Sequence, residues 1–213
     1  MSRKIVVTAL LILFAGMGIA AYFSFKARKV ATLKSPDNAY QVRIWENPSL
    51  FETQVLFEAE KEGRLYVDRR FLYGFDGPTP NFLERFSDRE WIHDSTLRLS
   101  PTHDIDPKSR NRFRVHNDSA HSIKVLTIDA SSLFVIFDLR PEQKIEAYLN
   151  TRVVNLSIKV SGEFDDGGVF RKEFVIDSPT ATFQNNLCFS LKFQERGLEF
   201  LETCSMAVER SWE

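Results

Sequence analysis

The sequence predicts a mainly β protein with an N-terminal transmembrane helix, a small β-rich (α+β) unit and then an antiparallel β-sandwich. Three observations predict this. An uncharged apolar run covers residues 5–25, the chain holds 19 Phe, and apolar and polar residues alternate along most of residues 30–213. Alternating aromatic and β-branched residues favour strands over helices. We therefore expect three parts: residues 1–29, 30–108 and 109–213.

The first part is predicted to be a membrane anchor. As a helix, the 21 residues of Ile5–Phe25 would be about 31 Å long, close to the roughly 30 Å hydrocarbon core of a bilayer. The run ends in aromatic residues and is flanked by cations on both sides: Arg3, Lys4, Lys26, Arg28 and Lys29. Such flanks are typical of an uncleaved signal anchor. A cleaved signal peptide, with a weak cleavage site after Ala20, is the alternative.

The orientation of the anchor is a second expectation. Positive charge lies on both sides, but long domains are translocated largely regardless of their charge. We therefore expect a single-pass protein with its N-terminus inside and residues 30–213 extracytoplasmic. Gly16 and Ala20 form a small-x-x-x-small pair that would let two helices approach closely, so a homodimer is a hypothesis.

The charge balance beyond the anchor argues against nucleic acid as a partner. Residues 1–29 contain five Lys and Arg and no Asp or Glu, so residues 30–213 contain 23 Lys and Arg and 29 Asp and Glu. Phosphate binding requires clustered cations. The one small cluster, Arg110, Arg112 and Arg114, is interpreted as a solvated strand edge.

The third part has the regular spacing of a sandwich. Strands are expected at about 113–117, 121–128, 132–138, 143–150, 153–160, 168–176, 183–193 and 198–208, with Pro or Gly at the reversals. Many short strands in roughly 100 residues are typical of a sandwich. The pattern resembles an immunoglobulin-like module, although the Cys-Trp-Cys arrangement of antibody domains is absent.

The middle part contains one predicted helix and one resemblance. Phe82, Leu83, Phe86 and Glu90 recur at helical spacing within residues 80–92. Residues 35–45, SPDNAYQVRIW, resemble the SPDGxYxVxIY start of an uncharacterised family of short, single-span bacterial membrane proteins, and residues 91–99 resemble its second element. The resemblance implies a membrane location and no known activity. Asn38 replaces the usual Gly, and Asn tolerates the left-handed conformation.

The segment from residue 69 to residue 82 is the predicted contact surface, because an aromatic strand runs there into a Pro/Gly loop. Aromatic residues with Arg are typical of binding hot spots. The candidate residues are Arg70, Phe71, Tyr73, Phe75 and Phe82. The alternative is that Phe71, Tyr73 and Phe75, on one face of a strand, pack in the core.

The sequence does not decide whether the two cysteines form a disulfide. Cys188 and Cys204 are symmetric about residue 196, so a three-residue loop at 195–197 would place them opposite each other in a hairpin. The hydrophobic faces of the two strands favour a register shifted by one residue, which separates the cysteines unless a bulge near Glu202 intervenes. A disulfide would favour an extracytoplasmic domain.

No pattern predicts a catalytic, cofactor or metal site. The adjacent residues His93, Asp94 and Ser95 cannot converge on one atom as a triad does. Residues 103–106 (HDID) lie between two prolines and are interpreted as a loop. Residues 165–168 (DDGG) are interpreted as a hairpin turn rather than a calcium site.

These observations lead to one expected function and two alternatives. We expect a membrane-tethered, non-catalytic interaction or accessory protein with an extracytoplasmic β-rich domain that contacts an envelope partner. The first alternative is a small-ligand sensor or transport accessory with a pocket rimmed by residues 71–82. The second is a cell-envelope hydrolase, which would require His103, Asp104 and Asp106 to converge with a distant group.

Overall fold

The structure of the chain, a computed structural model, describes residues 26–49, 51–77, 82–101, 111–130, 132–149, 157–175, 188–195 and 197–201. The predicted anchor Ile5–Phe25, with Gly16 and Ala20, lies outside the described residues, and so do His103, Asp104 and Asp106. Within the described ranges, no helix has the length and apolar character needed to cross a bilayer. The chain divides into two compact units.

The first unit comprises the described residues of Met1–Leu33 and Gln41–Phe82. Its strands form one sheet in the order β1-β2-β3-β4. The strands are β1 (Arg28–Lys34), β2 (Tyr40–Pro48), β3 (Glu52–Lys61) and β4 (Arg64–Asp76). The β3–β4 turn uses Glu62 and Gly63, both with positive φ (51° and 77°), which matches the right-handed twist of the flanking strands.

One buried carboxylate ties this unit together. The side chain of Glu46 on β2 is 2% exposed, and its Oε2 accepts hydrogen bonds from Nε and Nη2 of Arg28 at 3.0 and 2.7 Å. Its Oε1 accepts the backbone N–H of Phe82 at 2.6 Å. A buried carboxylate needs such partners, since an unpaired charge is costly to bury. Glu46 therefore joins the start of β1 to the segment that follows β4.

The second unit comprises the described residues of Lys34–Tyr40 and of Leu83–Glu213. A short helix, α1 (Phe82–Arg85), lies at the boundary. The strands that follow are β5 (Asp88–His93), β6 (Thr96–Ser100), β7 (Arg112–Asn117), β8 (Ile123–Ala130), β9 (Ser132–Leu139), β10 (Lys144–Tyr148), β11 (Ser157–Phe164), β12 (Val169–Val175), β13 (Cys188–Gln194) and β14 (Gly197–Leu201). They form a six-stranded sheet, β12-β11-β8-β9-β6-β5, and a four-stranded sheet, β10-β7-β13-β14.

The mainly β, sandwich-like fold with antiparallel sheets is confirmed. One core cluster draws buried residues from both sheets of the second unit. The ring of Phe113 on β7 lies 4.5 Å from Phe134 on β9 and 5.8 Å from Phe189 on β13. Phe170 on β12 lies 5.3 Å from Phe193 on β13. The alternating Phe residues therefore supply the contact between the two sheets.

Strand pairing determines which elements make up this unit. The chain divides after Phe82, and β5 and β6 pair into the six-stranded sheet through β9. The sandwich is not wholly antiparallel, since β13 runs parallel to β7. The predicted helix over residues 80–92 ends at Arg85, and Glu90 lies in β5 opposite Arg98. Strand pairing here overrides helical spacing.

Two turns behave as expected. Asn38 has φ 60°, so it takes the left-handed conformation in which Gly is usual. Residues 165–168 form the β11–β12 hairpin turn, where Gly167 has φ 85° and the N–H of Gly168 donates to Oδ1 of Asp166 at 2.9 Å.

Candidate interaction surface

The sheet of the first unit has one buried face and one partly exposed face. Along β2, Val42, Ile44 and Glu46 are buried, whereas Gln41, Arg43 and Trp45 between them are partly exposed. Successive side chains of a strand point to opposite faces. Gln41, Arg43 and Trp45 therefore belong to the second face, which we call the outer face.

A charge network crosses the outer face from β2 to β4. The guanidinium of Arg43 contacts Glu58 Oε1 at 2.9 Å and Glu60 Oε1 at 2.7 Å. Glu58 also contacts Nε of Arg69 at 3.3 Å. The hydrogen bonds that Arg43 donates to Glu58 and then to Glu60 raise the pKa of its guanidinium above the usual value. The network holds the side chains in fixed positions.

An aromatic–cation pair adjoins this network. The guanidinium carbon of Arg69 lies 3.8 Å from the centre of the Trp45 ring. This is the geometry of a cation–π contact, which contributes about 0.5–1 kcal/mol at exposed sites. The indole Nε1 of Trp45 is buried and makes no hydrogen bond within the described part of the chain. Trp and Arg are the residue types most enriched in binding hot spots.

Phe71 extends the outer face at the exposed strand edge. A bulge lies at Leu72, because Phe71 pairs with Leu56 while Tyr73 pairs with Val55. Leu56 and Val55 point to opposite faces, so Phe71 lies on the outer face and is 48% exposed. The expectation that Phe71, Tyr73 and Phe75 share one face is therefore corrected.

The other residues of the predicted contact segment lie elsewhere. Tyr73 and Phe75 contact each other edge to face at 5.0 Å, and Phe75 and Phe82 are buried. Arg70 lies opposite the buried Phe57, and burial lowers the pKa of its guanidinium. The segment thus divides: Phe71 lies on the surface, whereas Phe75 and Phe82 belong to the core.

Sequence reasoning missed Trp45 and its acidic neighbours. The signal was present, because the alternation of residues 40–46 already places Gln41, Arg43 and Trp45 on one face. The partners Glu58 and Arg69 depend on the register between strands, which turn and bulge positions set. That information is not local to any one motif.

The four-stranded sheet of the second unit carries a separate polar cluster. Oδ1 of Asp118 accepts Nε2 of His116 at 2.7 Å, and Oδ2 accepts Nζ of Lys192 at 2.7 Å. Burial lowers the pKa of His116, and the Asp118 charge partly opposes this. Asp118 therefore joins His116 and Lys192 in one polar cluster.

Other candidate residues are engaged in structure. His93 ends β5, and Asp94 and Ser95 form the turn to β6. Arg112 and Arg114 each contact Glu146, at 3.2 and 2.7 Å, while Arg110 lies outside the described residues. Within those residues, no group of three or more His, Cys, Asp or Glu is placed to hold a metal ion.

Among the described residues, the carboxyl of Asp129 has a clearly raised pKa. It lies on β8 opposite Lys159, and burial raises its pKa to about 6, with Lys159 acting in the opposite direction. A lone perturbed carboxyl can mark a functional site or a strained structural one. Its neighbours on the same face are the hydroxyls of Thr127 and Ser161, which bond to each other at 2.6 Å.

The cysteine hairpin takes the shifted register. Leu191 pairs with Phe200 and Phe193 pairs with Leu198, so the hydrophobic faces of β13 and β14 decide the pairing. The turn is therefore one residue shorter than the three-residue loop, and Glu195 has a positive φ of 51°. Cys188 is disulfide-bonded, and Cys204 lies outside the described residues.

No protein-family model, no curated protein and no solved structure matches the chain. The function is therefore inferred from the residues of the chain.

Proposed function

We propose that this chain is a single-pass membrane protein whose extracytoplasmic β domain binds another envelope protein without catalysis of its own. The observation that carries the proposal is the outer face, where Trp45, Arg69 and Phe71 lie together beside a fixed charge network. Aromatic and Arg side chains surrounded by polar groups are the usual composition of a binding hot spot.

Two features support the tether and its side of the membrane. The apolar run Ile5–Phe25 ends three residues before Arg28, where β1 begins. Cys188 is disulfide-bonded, and disulfides persist in oxidising compartments but are rare in the cytosol. The first feature favours an anchored domain, and the second favours the extracytoplasmic side.

Binding fits the outer face better than hydrolysis does. Its carboxylates are held by Arg43 and Arg69, so their charges are already compensated. A general base needs a free lone pair within reach of its substrate. Side chains locked in ion pairs provide instead a rigid surface, which lowers the entropic cost of association.

The test compares crosslinking patterns of variants in native membranes. Arg69→Ser and Phe71→Ser remove exposed outer-face side chains, and Val175→Ser removes an even more exposed apolar side chain on β12. We expect the first two variants to lose a crosslinked partner that the wild-type chain and Val175→Ser retain. An identical pattern in all four proteins would contradict binding through the outer face.

A further inference from the structure

The turn between β2 and β3 carries an unusually exposed aromatic side chain. Phe51 is 86% exposed, more than any other large apolar residue in the described ranges. The turn is fixed at its base, because the N–H of Ser49 donates to the carbonyl of Glu52 at 2.8 Å. The carbonyl of Phe51 accepts the N–H of Gly77 at 2.8 Å. These two hydrogen bonds fix the backbone on either side of the exposed Phe51 ring.

Strand direction places Phe51 at the end of the sheet where the chain enters. Arg28, the first residue of β1, lies beside Glu46 near the end of β2. From Glu46, β2 continues for two residues to Pro48, and the turn follows. At about 3.3 Å per residue, the tip of the β2–β3 turn extends on the order of 10 Å past Arg28, measured along the direction of β2.

The apolar run of the sequence is connected to the sheet at the same end, through Arg28. It stops at Phe25, three residues before Arg28, and three residues span at most about 11 Å. No linker separates the run from the first strand. If the run lies in a bilayer, the tip of the β2–β3 turn is at the height of the membrane surface.

We infer that Phe51 inserts into the interfacial layer of the bilayer that holds the anchor. The inference rests on the proposed tether and adds a second membrane contact to it. An exposed aromatic ring at the headgroup level gains from leaving water while the backbone stays hydrated. The exposed cations Lys26 and Lys29, at the same end of the unit, favour an anionic surface.

The neighbouring charges limit the depth of insertion. Glu52 on β3 and Asp76 on β4 lie opposite each other in the sheet, directly behind the turn, and Asp76 is exposed. Carboxylates are costly to move into hydrocarbon. Among the described residues of this end, insertion therefore involves the ring of Phe51, at the boundary between headgroups and acyl chains.

Two attachment points would fix the direction of the first sheet. A helix alone leaves a domain free to rotate about the tether, whereas a second contact at the turn restrains it. The opposite end of the sheet, with Leu65 next to the β3–β4 turn, lies about 30 Å away along β3. The strands would then run away from the membrane and present the outer face sideways.

The experiment uses the full chain in bilayers that contain anionic lipid. Phe51→Cys and Leu65→Cys each introduce one thiol at an exposed position of the same sheet. Each is labelled with a nitroxide, and its collisions with lipid-soluble oxygen and with a water-soluble nickel complex are measured. The unmodified chain, in which Cys188 is already bonded, gives the background labelling.

We expect the ratio of oxygen to nickel accessibility to be higher at position 51 than at position 65. Phe51→Trp, which keeps an aromatic ring, should be quenched by brominated lipids, whereas Leu65→Trp should not. Equal, water-like values at both positions in a chain that resists alkaline extraction would overturn the inference and leave the tether intact. A chain released by alkaline extraction would overturn the tether and the inference together.

Discussion

Replacing Glu46 by Gln should destabilise the first unit strongly, although the two side chains have almost the same shape. The carboxylate accepts the N–H of Phe82 on one oxygen and the guanidinium of Arg28 on the other. Gln has one oxygen, so either the Phe82 N–H or the Arg28 guanidinium faces an amide NH₂. Hydrogen bonds to charged groups contribute about 1.5–3 kcal/mol each, so we expect a loss of about 2–4 kcal/mol.

The matched control is Glu60→Gln on the outer face of the same sheet. Glu60 also pairs with an arginine, Arg43, at 2.7 Å, but its side chain is 22% exposed and that of Arg43 27%. A partly exposed pair contributes about 0–1 kcal/mol. The control therefore removes the same charge without the burial.

The assay is native-state hydrogen exchange of the full chain in bilayer nanodiscs, read at amides of β2 and β3. Exchange reports the free energy of opening of this unit without assuming that the whole chain unfolds in one step. A loss below 1 kcal/mol for Glu46→Gln, or equal losses for both variants, would refute the assigned role of burial.

Three further predictions concern the second unit. Asn117 is buried, and its amide donates to the carbonyls of His121 and Leu139 at 2.9 Å. Asn117→Ala should therefore lower the unfolding free energy by about 2–3 kcal/mol. For the same reason, the Asn-x-Ser sequence at Asn117 should carry no glycan when the protein is expressed in a glycosylating host. The pKa of Asp129 is raised from 3.8 to about 6, so the folded state binds the carboxyl proton more tightly than the unfolded state. The free energy of unfolding should therefore fall as pH rises from about 4 to 6. Asp129→Asn should remove that slope and stabilise the protein at pH 7. A Cβ at Gly162 would lie 2.5 Å from the backbone oxygen of Val125, so Gly162→Ala should lower the melting temperature.

Each of these has an outcome that counts against it. A stable, glycosylated Asn117 would show that the amide is accessible. An unchanged slope between pH 4 and 6 in Asp129→Asn would assign the pH dependence to other groups. Gly74→Ala is the control for Gly162→Ala, because the one overlap of its Cβ is with the end of the flexible Glu52 side chain, at 2.3 Å. Equal losses for both variants would exclude the steric reason.

Alternation predicted the strands of the sandwich well where both faces are buried or one face is clearly polar. Residues 113–117 and 132–138 were expected as strands, and β7 and β9 are found at Arg112–Asn117 and Ser132–Leu139. Burial of alternate residues is a local signal. The sheet that a strand joins depends on residues far away in the sequence. The pattern of residues 88–100 therefore did not predict that β5 and β6 pair into the sheet of β9 rather than into the first unit.

The candidate surface was only half predictable for a related reason. Phe71, one of the predicted contact residues, is exposed, but a single extra residue at Leu72 reverses the face of Tyr73 and Phe75. Bulges follow from strand pairing and leave no clear mark in composition. Trp45 and Arg69 are 24 residues apart in the sequence and meet only because β2, β3 and β4 lie side by side.

The buried charge of Glu46 illustrates the same limit. An acidic residue on the apolar face of β2 looks like an exception to the pattern of Val42 and Ile44. Its reason lies in Arg28 and the Phe82 N–H, which are 18 and 36 residues away. Sequence alone cannot supply partners at that distance.

The central claim is that the β domain is tethered on the extracytoplasmic side, and a topology reporter tests it most directly. A phosphatase that is active only after export and a fluorescent protein that folds only in the cytosol are each fused after Glu213 in a bacterial host. We predict an active phosphatase and a dark fluorescent protein, in a chain that stays with the membrane on alkaline extraction. A fluorescent fusion with inactive phosphatase would contradict the claim.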